Sequence, residues 1–367
     1  MTQRREKTVP ELIADVSLHE LLSIALKQRA SDLHITAGLP PMLRVDGRLV
    51  PLDFEPLTPG DTQRLLYDIL SDKQITDFEL NHELDLSYGT PSLGRFRVNL
   101  YVQRGSVSGA LRLITTEIPT FEELVLPPVV QELASRNSGL VLVTGPTGCG
   151  KSTTQACMIN HINHGRDCHI MTIEDPIEYL HRHHKAMVNQ REVGSDTYGF
   201  VQALRAVLRE DPDVVLIGEM RDLETITAAL TIAETGHLVL GTLHTRNAPQ
   251  SIDRIIDVFP PHQQEQIRVL LANTLEAVVA QQLLPRYGGR GRIPAVEVLL
   301  VNAAVRNLIR EAKTHQIYSM MDTGAEQGMQ TMDKALASLA KRGLASYEEA
   351  GLRAMDADNF NRWTRNL

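Results

Sequence analysis

The run Gly145-Pro146-Thr147-Gly148-Cys149-Gly150-Lys151-Ser152-Thr153 matches the spacing Gly-x4-Gly-Lys-Ser/Thr and follows the apolar segment 140–144. Glycines at those positions let backbone N–H groups turn inward around phosphates, and a helix starting near Lys151 adds its partial positive charge. Lys151 is then the cation for the β- and γ-phosphates, and the Ser152 hydroxyl a ligand for Mg²⁺. ATP with Mg²⁺ is the expected substrate and cofactor pair. Cys149 reads as a small packing residue of the loop rather than a redox switch.

Acids near such a loop decide whether nucleotide is only bound or also hydrolysed. Asp211-Pro-Asp-Val-Val-Leu-Ile-Gly-Glu219 is an apolar strand ending in an acid, which makes Glu219 the candidate general base or water-positioning group. Thr172-Ile-Glu-Asp-Pro-Ile-Glu178 follows another apolar run and puts Glu174, Asp175 and Glu178 at its carboxyl end, where Glu174 and Asp175 are candidates to hold Mg²⁺ or its water shell. His244, in Gly241-Thr-Leu-His-Thr245, follows a further apolar strand and is a candidate to sense the γ-phosphate or to link ATP state to subunit movement. Arg97 and Arg112 sit on strands of the first half, and alternation puts Arg97 opposite the apolar face of Phe96, Val98 and Leu100. Their guanidinium groups, with those of Arg205 and Arg209 spaced four apart on an expected helix, are candidates for phosphate oxygens. The His181-Arg-His-His-Lys185 cluster lacks the spacing of a zinc site and reads as a polar connection.

The elements that must position these residues fall into two kinds. Before residue 115, a helix capped by Ser17, a helix started by Thr58-Pro59, and strands at 33–35, 42–45, 48–52, 83–88, 94–103 and 107–114 predict an α+β domain with a mostly antiparallel sheet and a hairpin turning at Asp46-Gly47. Periodicity breaks from Thr115 to Pro128. Beyond it, apolar runs at 140–144, 168–173, 214–217 and 238–240 alternate with helical patterns, as in a parallel sheet covered on both faces. From Pro261 onward the pattern reads as helical apart from a strand at 293–299. The expected division is an amino-terminal α+β domain over 1–116, a linker over 117–135, an α/β P-loop core over 136–300 and a helical carboxyl-terminal region over 301–367.

Composition narrows the partners. Thirty-seven basic against 45 acidic residues give a net charge of −8 with 4% aromatics, which argues against a nucleic-acid translocase whose channel needs cations and stacking rings. Hydrophobic residues at 43% and no run of about 18 apolar residues predict a folded protein without direct membrane insertion. The three cysteines, Cys149, Cys157 and Cys168, fit no disulfide framework, so a cytoplasmic location is expected.

Taken in order, these residues resemble the secretion ATPases, and within them the PilT-type retraction ATPases of type IV pili. The resemblance runs through Ser31-Asp-Leu-His-Ile35, Gly94-Arg-Phe-Arg-Val-Asn99, the P-loop, the aspartate box at 172–178, Val188-Asn-Gln-Arg-Glu-Val-Gly194, the strand ending at Glu219 with Met220-Arg-Asp222, and the histidine box at 241–245. It implies a PAS-like amino-terminal domain joined to a RecA-like core, assembled as a homo-hexamer. Glu219 is then the catalytic glutamate, Glu178 the aspartate-box acid, His244 the histidine-box residue, and Arg97 and Arg112 the arginines that approach the nucleotide. Val305-Arg-Asn-Leu-Ile-Arg-Glu311 resembles the family's retraction segment, with Val305 in place of isoleucine, so Arg306, Leu308, Ile309, Arg310 and Glu311 are expected to transmit motion. The implied activity is a mechanochemical ATPase driving pilus retraction through an inner-membrane platform protein, with which it associates peripherally, and possible partnership with a paralogous retraction ATPase. A PilU-like accessory motor and an assembly or type II secretion ATPase are the alternatives. The four-cysteine zinc module usual in assembly ATPases is missing, which disfavours the latter.

Overall fold

The computed structural model describes residues 13–366 apart from 46, 91, 92, 115, 116 and 290. It divides into two compact units, Met1–Thr116 and Glu117–Leu367. Asp46 of the expected turn, and Thr115 and Thr116 at the start of the expected break, lie outside the described residues.

In the first unit the order is α1 (Leu18–Lys27), β1 (Asp32–Ile35), β2 (Met42–Val45), β3 (Arg48–Pro51), α2 (Pro59–Tyr67), α3 (Asp72–Asn81), β4 (Glu83–Thr90), β5 (Gly94–Gln103) and β6 (Ser106–Ile114). Ser17, Thr58 and Ser71 each open a helix with a reciprocal capping box, satisfying amide groups that the helix cannot pair internally. The sheet order β3-β2-β1-β6-β5-β4 is antiparallel throughout. Phe96, Val98 and Leu100 are buried in a core shared with α1 and α2, leaving Arg97 and Asn99 exposed on the other face. This is the α+β amino-terminal domain that alternation predicts.

The second unit runs α4 (Pro128–Ala134), β7 (Gly139–Thr144), α5 (Lys151–Gly165), β8 (His169–Glu174), β9 (Met187–Glu192), α6 (Phe200–Val207), β10 (Val214–Ile217), α7 (Leu223–Glu234) and β11 (Leu238–Leu243). It continues with α8 (Ala248–Asp257), α9 (Pro261–Thr274), β12 (Leu275–Pro285), β13 (Arg292–Leu300), α10 (Ala303–Arg310), α11 (Ile317–Thr323), α12 (Met332–Lys341), α13 (Tyr347–Gly351) and α14 (Ala357–Asn366). The sheet order is β13-β12-β7-β11-β10-β8-β9, parallel except where β13 pairs antiparallel with β12. Both faces are covered. Leu140 and Leu142 pack into one apolar cluster and Val141 and Val143 into the other, which is why the strand is apolar at successive positions.

Two expectations need correction. The segment 117–135 belongs to the second unit rather than linking two bodies: Phe121, Leu126, Val130 and Leu133 are buried against β7, α5 and β12. The chain beyond Pro261 is also less helical than its pattern suggests, because Leu275–Pro285 forms β12 between β13 and β7. Leu, Glu, Ala and Gln suit a helix locally and only Val278 and Val279 favour a strand, so the pairing partners on both sides decide the outcome. Among the described residues, no helix is long and apolar enough to cross a membrane.

Candidate nucleotide-hydrolysis site

Parallel pairing brings the carboxyl ends of four strands to one edge, because Leu243 registers with Thr144, Ile217 with Gly241, and Ile217 with Ile173. The P-loop leaves β7 at that edge, His244 follows β11, Glu219 follows β10, and Glu174 ends β8. Scattered along 100 residues of sequence, the candidates become neighbours in strand order.

The loop itself is tightly fitted. Gly145 has φ +143°, and a Cβ there would lie 2.4 Å from the Gln281 carbonyl oxygen, so only glycine fits. Gly150 precedes α5 in the left-handed region, at φ +92°, which turns the chain into the helix. Lys151 Nζ donates to the Gly145 and Pro146 carbonyls at 2.9 and 3.3 Å, which holds its ammonium over the loop. Ser152 is exposed in the first turn of α5, while Thr147 and the other loop residues before it form the bend. Thr153 Oγ1 lies 2.9 Å from the Tyr179 hydroxyl, tying α5 to the segment after the aspartate box. Cys149 is buried, and burial pushes its thiol pKa up, the direction opposite to that of a reactive thiolate.

Sequence reasoning missed the group beneath the loop. Gln281 is buried on β12, donates from Nε2 to the Cys149 carbonyl at 2.7 Å and accepts from Thr154 Oγ1 at 3.0 Å. It fastens the loop to the helix that follows. A buried glutamine within an apolar strand was the available signal, and it was hidden because β12 reads as helix.

Glu219 and His244 meet directly. His244 Nε2 stands 2.7 Å from Glu219 Oε1, and Arg221 Nε also donates to that oxygen. Burial pushes the Glu219 carboxyl up, but the Arg221 hydrogen bond and the His244 and Arg221 charges outweigh it, leaving the pKa below the usual carboxylate value. An ionised carboxylate is what a base or water-positioning residue requires at neutral pH.

The aspartate box separates its three acids. Glu174 accepts from Thr172 Oγ1 at 2.7 Å and Gln190 Nε2 at 3.1 Å, and burial pushes its pKa up. That makes it a weak cation ligand and an anchor within the sheet. Asp175 and Glu178 are exposed, which suits a water-shell role for Mg²⁺ better than the desolvated position of Glu174 does. β9 shapes this loop: Gln190 also donates to the Tyr179 carbonyl at 2.9 Å, and Glu192 accepts from the Ile177 amide at 3.0 Å. The histidines at 181–184 brace the same strand, since the His181 amide donates to Gln190 Oε1 and His183 Nδ1 accepts from the Val188 amide.

The arginines part company. Arg205 is exposed on α6 with Glu224 of α7 3.9 Å away, whereas Arg209 lies beyond the end of that helix, in the turn leading to the amino end of β10. That end of the strand is opposite to the P-loop edge, so Arg209 is parted from the loop and does not share a helical face with Arg205, which reaches toward the first turn of α7. In the first unit, Arg97 stands across from Arg112 in the β5–β6 register, and Arg112 Nε donates to Asp32 Oδ1 at 2.8 Å.

In the carboxyl-terminal region, Arg306 of α10 donates to the Ala272 and Asn273 carbonyls at 2.7 and 2.9 Å and pairs with Glu276. It caps the end of α9, whose last carbonyls have no internal donors. Arg310 donates to Asn273 Oδ1 at 3.0 Å. Ile309 is fully buried, Leu308 is half-buried on the same cluster, and Glu311 is exposed between Asn307 and Lys313.

Residues 121–352 match the family model described as type II/IV secretion system protein. The chain is 49% identical over 345 residues to the type IV pilus retraction ATPase PilT of Pseudomonas aeruginosa, covering 94% of this chain and all of that protein. It is 44% identical to the type IV pilus ATPase PilU of the same organism, covering 94% and 90% respectively. A crystal structure of the pilus retraction motor PilT with bound ADP superposes with a TM-score of 0.89 at 52% identity, over 95% of this chain and all of that one. With the P-loop, the Glu219–His244 pair and the aspartate box on one sheet edge, the chain belongs to the type II/IV secretion system protein family, among its PilT-type ATPases.

Proposed function

We propose that the protein is a hexameric ATP-hydrolysing motor that powers type IV pilus retraction. The observation that carries this reading is the Glu219–His244 pair on the sheet edge of the P-loop, with His244 following the neighbouring strand and Glu219 the one after it. Lys151 and the loop amides bind the phosphates, and α5 adds its positive end. Glu219, kept ionised by Arg221 and His244, orients water in line with the γ-phosphate and takes its proton, while His244 fixes the carboxylate. Mg²⁺, held by Ser152 with Asp175 and Glu178 through water, would neutralise charge developing on the phosphates.

Six copies joined by one repeated heterologous interface close a ring and place one nucleotide site at each junction. Arg97 and Arg112 serve as cationic groups for the nucleotide of a neighbouring or closed subunit. Motion reaches the pilus through α10 and a platform protein at the inner membrane, on its cytoplasmic side. A PilU-like accessory role is the less supported reading, since identity to PilU is 44% against 49% to PilT. The test is deletion of the gene in its host. Hyperpiliated, non-twitching cells restored by wild type but not by Lys151→Ala support the main motor, bald cells point to assembly, and full twitching with a defect only under load points to the accessory role.

A further inference from the structure

Glu297 is a carboxylate with no exposed surface, on β13, inside the second unit. Its Oε1 accepts the Ala248 amide at 2.8 Å and its Oε2 the Met332 amide at 3.1 Å. These are the first residues of α8 and α12, so one side chain takes an unpaired amide from the start of each helix. Isolating a carboxylate from water is costly, and the partial positive ends of two helices offset much of that cost. Burial still pushes its pKa up to about 7, with the charge of Asp333 adding to the effect.

α8 leads straight back to the hydrolytic centre. Ser251 on α8 lies 2.6 Å from Thr245 Oγ1, beside His244, and 3.5 Å from Thr144 Oγ1, the last residue before the P-loop glycine. α12 leads the other way. Asp333 in its first turn accepts the Met355 and Asp356 amides at 2.7 and 3.2 Å, fixing the approach to α14. On α11 the Tyr318 hydroxyl lies 3.3 Å from Met355 Sδ, beside the Asp333 anchor, and burial with the charges of Glu297 and Asp333 raises its pKa.

We propose that Glu297 is a positioning residue for hydrolysis: by holding the starts of α8 and α12 together it keeps Thr245 and His244 in place, and links the carboxyl-terminal helices to the Glu219–His244 pair. This rests on the reading of His244 as part of the hydrolytic centre. A hydrophobic residue of similar volume would fill the space without the desolvation cost, but it could not join two helix starts.

The test uses the full chain. Glu297→Gln keeps the shape but sets an amide donor against one backbone donor, so kcat should fall about tenfold with the KM for ATP within about twofold. Amide exchange should quicken in residues 244–251. Met332→Pro removes the second amide at a helical position that accepts proline, and should reproduce the kcat loss, whereas Met332→Ala, which keeps the amide, should not. Wild-type kcat in Glu297→Gln, parallel loss of kcat, KM and thermal midpoint, or equal effects of Met332→Pro and Met332→Ala each overturn the proposal. His244→Ala measured alongside separates the two levels: full activity there overturns the site reading, while a slowed His244→Ala with an unaffected Glu297→Gln overturns this inference alone.

Discussion

His244 Nε2 and Glu219 Oε1 are 2.7 Å apart, although 24 residues of helix and strand separate them in sequence. The contact exists because β10 and β11 are parallel neighbours with Ile217 beside Gly241, so the residues that follow each strand emerge together. A histidine that reads from sequence as a γ-phosphate sensor is therefore also a direct partner of the candidate base Glu219.

Glu219→Gln keeps the hydrogen bonding and loses the basicity. ATP binding should persist while turnover falls by about 10²-fold or more, the scale of general-base catalysis. Wild-type turnover would remove Glu219 from the role.

Arg221→Ala should move the acid limb of the kcat profile to higher pH. Arg221 and His244 hold the Glu219 pKa down, so the base stays ionised above that depressed pKa and activity is lost as pH falls through it. Removing one cation raises the pKa and brings the loss on sooner. A pH–rate profile of both proteins checks the direction, and coincident acid limbs would show that Glu219 does not govern them.

Gln281→Leu should loosen the P-loop without touching a residue of the motif. It leaves the Cys149 carbonyl and the Thr154 hydroxyl without their partner, at a cost of about 1–3 kcal/mol for the buried acceptor. Weaker ATP affinity with a lower thermal midpoint is expected. Unchanged nucleotide binding would leave Gln281 a packing residue of β12.

Arg97 and Arg112 face each other across β5 and β6, an arrangement of like charges that sheets disfavour unless something gathers them. Asp32 holds Arg112. Alanine at Arg97 or Arg112 should lower the ATPase rate of the assembled ring more than the nucleotide affinity of a single subunit. Full activity in both would make them a solvated sheet face.

The retraction segment calls for different substitutions from those its apolar pattern suggests. Ile309 is buried, so Ile309→Ala should cost about 2–4 kcal/mol through the cavity it leaves, and its loss of retraction would report stability. Asn307 and Glu311 are exposed and bonded to each other. Replacing both with alanine should keep the ATPase rate and thermal midpoint while impairing retraction in cells. Intact retraction would move the transmitting surface away from α10.

Local chemistry made much of this protein legible before its fold was known. The P-loop is contiguous because amides cradling phosphates must be consecutive, the capping residues at Ser17 and Thr58 act within three residues, and buried strands such as 214–217 declare themselves by being apolar throughout. Strand order was not legible in this way. Only the sequence β7-β11-β10-β8 turns Lys151, His244, Glu219 and the aspartate box into one edge, and it is set by crossovers whose packing involves residues far apart in the chain. The same long-range pairing makes Leu275–Pro285 a strand rather than a helix, puts Gln281 under the P-loop, and parts Arg209 from the site. Glu297 is the clearest case: in sequence it is one acid in an apolar run, and only the tertiary structure gives its two oxygens an amide from each of two helices that begin 84 residues apart.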